Sequence, residues 1–290
     1  MSSFDSRALL PLVALLAACA TKDASKSANA SDSTHAVAAA AAKPHQMTII
    51  ATDYKFDAPD QVPSGMMTVH LVDNGSELHH VTFIKLNDGK TVADVEQALK
   101  TPGPIPTWAV DHGGVNPSHP GGGMSTTTQM LEPGNYAMVC FIPSADGIPH
   151  FAKGMVRPLT VTASTDAAAA APTEDIVMTL KDYTFTTSKP ITAGTHTIKI
   201  ENEGPQSHEL MLARLVPGKK AEDIPAWAEK MSGPPPAEPI GGVPAMAKGG
   251  TAYLTANFTP GDYAFVCFIP DAKDGKPHFA HGMVKQVHIE

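Results

Sequence analysis

Between residues 46 and 290 the apolar positions fall mostly in short alternating runs, the period of two by which a strand turns one face to a core. Met47-Thr48-Ile49-Ile50 leads into Asp53-Tyr54-Lys55-Phe56, and Val69 and Leu71 alternate with His70 and Val72 behind Gly65. Residues 79–84, 135–141 and 155–162 predict further strands. Later in the chain the same pattern covers 176–185, 195–201, 208–215, 251–258, 262–268 and 283–289. Turn residues punctuate the series at Pro63-Ser64-Gly65, Glu132-Pro133-Gly134 and Ala193-Gly194. Two predicted helices interrupt it, 92–100 and 221–231, each followed by a long Pro/Gly-rich loop. Short strands with regular turns predict an all-β fold of two β-sandwich domains, each with one short helical insertion.

The division into two rests on internal repetition. Asp53-Tyr54-Lys55-Phe56 recurs as Asp182-Tyr183-Thr184-Phe185, and Asn74, Glu77 and the residues around His79 recur over 202–208. Pro133-Gly134-Asn135-Tyr136 recurs as Pro260-Gly261-Asp262-Tyr263, and the offset stays between 127 and 129 throughout. The expected layout is a domain at 46–163, an Ala-rich linker at 164–174 and a domain at 175–290.

Ahead of these lies a segment of different composition. Arg7 precedes an apolar run over 8–18 that is too short to span a bilayer and ends in Leu16-Ala17-Ala18-Cys19. That ending resembles the lipobox of bacterial lipoproteins. By this resemblance residues 1–19 are an export signal and Cys19 becomes the lipid-modified N-terminus, with Ala20 implying outer-membrane sorting in a Gram-negative cell. The Ala/Ser-rich stretch 20–45 is too polar to form a core and reads as a disordered tether, with His35 and His45 exposed. The expected location is the cell envelope, on the periplasmic face and membrane-anchored through the lipid. A net charge of −8 argues against a nucleic-acid partner and admits a basic protein partner.

Each repeat carries the same donors near its end. Cys140-Phe141-Ile142-Pro143 runs on to His150 and Met155, and Cys267-Phe268-Ile269-Pro270 to His278 and Met283. Nine or ten residues separate Cys from His, and four separate His from Met. Thiol, imidazole and thioether form a soft donor set that suits copper, given one more histidine. Aligning Phe83-Ile84-Lys85-Leu86 with Leu212-Ala213-Arg214-Leu215 sets His79 over His208 and His80 over Glu209, which favours His79 and His208 as that histidine. The two thiols are expected to be free, because a disulfide would force the same strand end of two domains together. His281 is expected at the surface near the second site. His112, His119 and Met124 are expected in a packing loop, and His70, His196 and His288 at the rim.

With the Pro-Gly-x-Tyr turn before the Cys strand and the Gly-Met pair after the second His, each copy resembles a type 1 (blue) copper cupredoxin domain. The resemblance implies two tandem cupredoxin-like Greek-key β-sandwich domains with one type 1 copper each. The ligands it implies are His79, Cys140, His150 and Met155 in the first, and His208, Cys267, His278 and Met283 in the second, with Met as the weak axial donor. The Cys-to-His loop is longer than in plastocyanins and similar in size to that of copper nitrite reductases. Its prolines, Pro143, Pro149, Pro270 and Pro277, are expected to stiffen it.

Nitrite reductases and laccases wire a second copper centre through a His directly before the Cys and through His-x-His pairs. Here Val139 and Val266 precede the thiols and no His-x-His occurs. The expectation is therefore that the chain is no enzyme but an electron-transfer protein serving a redox protein partner. Two alternatives stay open: a lipoprotein that stores, delivers or senses copper, and a metal-free interaction module.

Overall fold

The computed structural model describes residues 42–290 apart from 102, 104 and 231; the export signal, Cys19 and the tether up to residue 41 lie outside the described residues. The first part of the fold runs β1 (His45–Thr52), β2 (Lys55–Asp57), β3 (Gln61–Pro63), β4 (Gly65–Asp73) and β5 (Val81–Leu86). Helix α1 (Val92–Ala98) follows, then β6 (Ala109–Val115), β7 (Gly123–Leu131), β8 (Gly134–Val139) and β9 (Val156–Thr162). Residues 164–174 carry neither strand nor helix. The second part runs β10 (Ile176–Lys181), β11 (Thr184–Thr187), β12 (Gly194–Asn202) and β13 (His208–Leu215), then helix α2 (Asp223–Ala228). It closes with β14 (Ala237–Met246), β15 (Thr251–Phe258), β16 (Gly261–Val266) and β17 (Val284–Ile289).

Alternation works as the sequence predicts in β1, where Met47, Ile49 and Ala51 point inward, and in β15, where Ala252, Leu254, Ala256 and Phe258 do. The predicted strand 176–185 is two strands, because Tyr183 adopts a left-handed φ of 63° and turns the chain back; Tyr54 does the same between β1 and β2. His45, expected in the tether, opens β1. Both helices are shorter than predicted. α1 is held by a Thr91–Asp94 capping box and buries Val95 beside Ile84 and Val139, while α2 buries Ile224 beside Leu215 and Val266.

The strands assemble into two sheets. One has eight strands in the order β11-β10-β12-β15-β7-β4-β1-β2, the other nine in the order β17-β16-β13-β14-β6-β5-β8-β9-β3. The protein is thus mostly β, as expected, and its strands form two large sheets. Each part of the chain keeps its own core, around Leu71, Phe83 and Tyr136 in the first and Ile198, Phe258 and Phe265 in the second. Yet both sheets continue from one part into the other. β7 pairs antiparallel with β15 (Thr127↔Leu254, Thr128↔Tyr253, Gln129↔Ala252), and β6 with β14 (His112↔Met246). Like strand meets like at each seam, the pairing a two-fold axis produces.

Three of these four seam strands, β6, β7 and β14, fall where the sequence predicts a Pro/Gly-rich loop or nothing regular. The physical reason is visible at Gly114 and Gly242. A Cβ there would stand 2.0 Å from Val81 O and 1.9 Å from Leu210 O, each beside a register shift in the adjoining strand pair. Glycine is what permits the bulged approach, and its presence dilutes the strand signal.

Candidate metal centres

The cysteines directly follow β8 and β16. Each strand starts at a corner fixed by a tyrosine: Tyr136 Oη donates to Glu132 O and Tyr263 Oη to Thr259 O, both at 2.9 Å. Past the cysteine the long loop closes as a hairpin. His150 N donates to Ile142 O at 2.9 Å and Pro143 bridges Pro149; His278 N to Ile269 O and Pro270 to Pro277 repeat it. A single 3-10 turn, His150–Lys153 or His278–His281, then returns the chain so that Met155 N donates to His150 O and Cys140 N to Met155 O. Met283 is tied to His278 and Cys267 in the same way.

These ties bring the expected residues together. His79, Cys140 and His150 offer donor atoms that all lie within 4.8 Å of one another, as do His208, Cys267 and His278. The Nδ1 atoms of His79 and His150 face each other at 3.0 Å, with Cys140 Sγ 3.5 Å from His150 Nδ1. In the second cluster the same separations are 3.0 Å and 3.3 Å. Donors bound about 2.0–2.3 Å from one ion stand about 3.5–4 Å apart, so each cluster is close to metal-binding dimensions. All six side chains are fully buried, as are Met155 and Met283, which pack in the same cores as Cys140 and Cys267. The cysteines are free, so no disulfide competes for the sulfurs.

The far side of the rings decides what the near side can do. His79 Nε2 donates to Asp53 Oδ1 at 3.0 Å, His150 Nε2 to Glu77 Oε2 at 2.8 Å, and His208 Nε2 to Asp182 Oδ1 at 2.8 Å. Bonds from the Ser76 hydroxyl, then His79 and the Ser76 and Glu77 amides, outweigh burial and hold the Asp53 carboxyl at about 2. Glu77, against the upward push of burial, is held below its ordinary value by Ser144, His150 and Tyr54. Ionised carboxylates only accept, so Nε2 carries the proton in His79, His150 and His208, and in the first cluster the two Nδ1 atoms present bare lone pairs to each other. Two lone pairs and a sulfur in a closed space repel unless a cation lies among them.

Protons in that place are disfavoured. Burial pushes His150 and His208 down, and burial with the neighbouring His208 charge brings His278 to about 4. Burial likewise pushes the Cys140 thiol up to about 12 and the Cys267 thiol well above its ordinary value. Backbone N–H groups of His80 and Glu209 are nonetheless aimed at those sulfurs, an arrangement that favours thiolate. A soft metal ion deprotonates such a thiol and uses the imidazole lone pairs, and Met155 and Met283 lie buried in the same cores as the two thiols. The residues present fit copper.

Sequence reasoning overlooked the supporting cast. Asp53, Asp182, Glu77 and Gln206 stand in the quoted repeat, so their signal was there, while Ser144 and Asp271 act through tertiary contacts. Gly75 and Gly204 let the imidazoles in, for a Cβ would lie 2.3 Å from His79 Nε2 and 2.4 Å from His208 Nε2. Asp73 is the partner of Asn202, rather than Asn74: each bonds the amide two residues on, Gly75 or Gly204. His80 is no ligand. Its Nε2 accepts from Phe141 N at 2.8 Å and its Nδ1 meets Asn116 Oδ1 at 3.2 Å; Glu209 accepts from Phe268 N at 2.7 Å in the equivalent place.

Among the described residues, the remaining histidines belong to neither cluster. His281 stacks on Tyr183 and pairs with Asp274 at the edge of the second centre. His112 lies on β6 and bonds Met130 O, and Met124 is exposed on β7, so the loop expected to hold them is partly strand.

No protein-family model matches the chain, and no curated protein matches it. Solved structures do. Auracyanin from Roseiflexus castenholzii aligns at 22% identity over 42% of this chain and 99% of its own, with a TM-score of 0.29. A multicopper oxidase aligns at 14% identity over 84% of this chain and 88% of its own, TM-score 0.25. The copper nitrite reductase of Nitrosomonas europaea aligns at 14% identity over 86% and 94%, TM-score 0.25. Likenesses this remote carry no argument about activity. They do correct one expectation: an oxidase, laccases and nitrite reductases stand among the matches, so the exclusion of enzymes drawn from Val139 and Val266 does not hold. That exclusion rested on one way of wiring coppers, and a fold shared with enzymes does not dictate the wiring.

Proposed function

We propose that this chain is a copper-binding electron-transfer protein, built as two tandem cupredoxin-like Greek-key β-sandwich domains with one type 1 copper site in each. The observation that carries the reading is the meeting of two imidazoles and a cysteine sulfur with donor atoms within 4.8 Å of one another, made twice, each time joining a remote histidine to the Cys-to-His loop. His79, Cys140, His150 and Met155 would hold the first copper; His208, Cys267, His278 and Met283 the second. When bound, copper supplies a one-electron couple. The protein's part is to hold the donors where neither oxidation state demands much movement: the corner tyrosines, the hairpin loops and the carboxylates behind the rings do this. From the sequence come the further proposals of a lipid anchor at Cys19, an envelope location and a redox protein as partner.

Copper content and visible absorption of periplasmically expressed protein test the reading. Two coppers per chain and an intense thiolate-to-copper band are expected, with one copper and half the band lost in Cys140→Ser. A colourless protein after copper loading would overturn it. Slow electron exchange with small redox partners, together with ready copper transfer to an acceptor, would mark a delivery module instead.

A further inference from the structure

The two centres match in their donors and differ behind one ring. In the first, His150 Nε2 donates to Glu77 Oε2 at 2.8 Å, and the same oxygen accepts from Ser144 Oγ at 2.7 Å and Tyr54 Oη at 3.3 Å. In the second, Gln206 stands where Glu77 does and Asp271 where Ser144 does, so the carboxylate has moved to the other side of the loop. Asp271 Oδ2 accepts from Tyr183 Oη at 2.5 Å and from Gln206 Nε2 at 2.8 Å. The Gln206 oxygen meanwhile accepts from Ala272 N at 2.9 Å. Pinned at both ends, that amide cannot turn its oxygen toward the ring.

His278 is left with nothing to donate to. Its Nε2 lies 3.8 Å from Asp271 Oδ2, beyond hydrogen-bond range, and has no other partner although the side chain is fully enclosed. The other ring of each pair keeps its carboxylate, Asp53 behind His79 and Asp182 behind His208. Nearby cations do not reverse the contrast, since Lys153 is paired with Asp146 and His281 with Asp274.

We infer that the centres are tuned apart by this exchange: Glu77 is a positioning residue that makes the His79/Cys140/His150 centre the less oxidising, and the His208/Cys267/His278 centre, with an undressed His278, draws the electron. A carboxylate pulling on the N–H makes an imidazole a stronger donor and favours the more highly charged metal; without it the ring gives less and the reduced ion is favoured. The inference rests on the copper reading, and it gives the chain a direction, from the first part to the second.

The test has two readouts. In a redox titration of copper-loaded protein followed by the visible band, two steps are expected, and Cys267→Ser should retain the lower-potential one. Glu77→Gln should move that step up and leave the other in place, while the paired change Gln206→Glu with Asp271→Ser should move the upper step down. With cobalt(II) as probe of the metal-free protein, Glu77→Gln should weaken one of the two sites by about 10- to 100-fold. Copper-loaded protein with a single shared potential, the reverse order, or a Glu77→Gln variant that moves neither readout would overturn the inference alone. A chain that takes up neither metal would overturn the copper reading and the inference with it.

Discussion

His80 Nδ1 and Asn116 Oδ1 meet at 3.2 Å in the buried seam between the two parts of the chain. Asn116 also donates to Leu210 O at 3.0 Å and hydrogen-bonds the Glu209 side chain. His80 and Glu209, which follow the first histidine of each centre, therefore hold the amides after both cysteines and share a single asparagine. Asn116→Ala strands three buried polar groups and is expected to lower stability by about 1–3 kcal/mol, read from the denaturant midpoint. A loss below about 0.5 kcal/mol would remove the bridge from any account of the seam.

Glu209 gives the seam a pH dependence. Burial lifts its carboxyl to about 7, against the pull of Phe268 N and Asn116. A folded-state value above the unfolded one means that the contribution to stability is complete below about pH 4.3 and is lost as pH rises through 7. Glu209→Gln keeps the acceptor for Phe268 N without the charge. In metal-free protein it is expected to match the parent near pH 4 and exceed it at pH 8 by roughly 3–4 kcal/mol. Equal stabilities at pH 8, in paired denaturant titrations, would mean that Glu209 is ionised without cost.

Gly75→Ala places a methyl 2.3 Å from His79 Nε2 and 2.7 Å from Asp53 Oδ1, so the ring must leave its seat. Metal affinity at the first centre should fall by about 10- to 100-fold, with the second unchanged; Gly204→Ala should do the converse. Cobalt(II) titration of each variant reads both centres at once, and two intact sites in Gly75→Ala would refute the close approach.

Much of this was legible beforehand, for identifiable reasons. Cys140, His150 and Met155 are close in sequence, so their spacing survives into space, and the recurrence of His79 as His208 picked out the remote member. The carboxylates behind the rings were less legible in role: Glu77 stands in the repeat, but its partner His150 lies 73 residues away and no local pattern points to it. The seam strands failed for another reason. Pro239, Pro244 and the glycines at 113–114 and 241–242 serve a bulged approach, and a reader of local pattern takes them for a loop. Where the sheets are continuous, the sequence shows only a linker.

Since both sheets cross the seam, heat should unfold residues 42–290 in one cooperative transition, with calorimetric and van't Hoff enthalpies equal. Two resolved transitions in scanning calorimetry would make the halves independent. Cys140→Ser adds a second check, since in copper-loaded protein it should shift that single transition downward without splitting it.

The crossing of the sheets also sets a timetable for the nascent chain. β7 is complete at Leu131, but its partner β15 and the neighbouring β14 begin only at Thr251 and Ala237. At about 5–20 residues per second, the first half waits roughly 5–20 s with two sheet edges open to any passing strand. The edge it shows is Thr126-Thr127-Thr128-Gln129, polar where a core strand would be apolar. That run offers a foreign strand little apolar surface to bury, and its backbone pairing is completed only when β15 arrives.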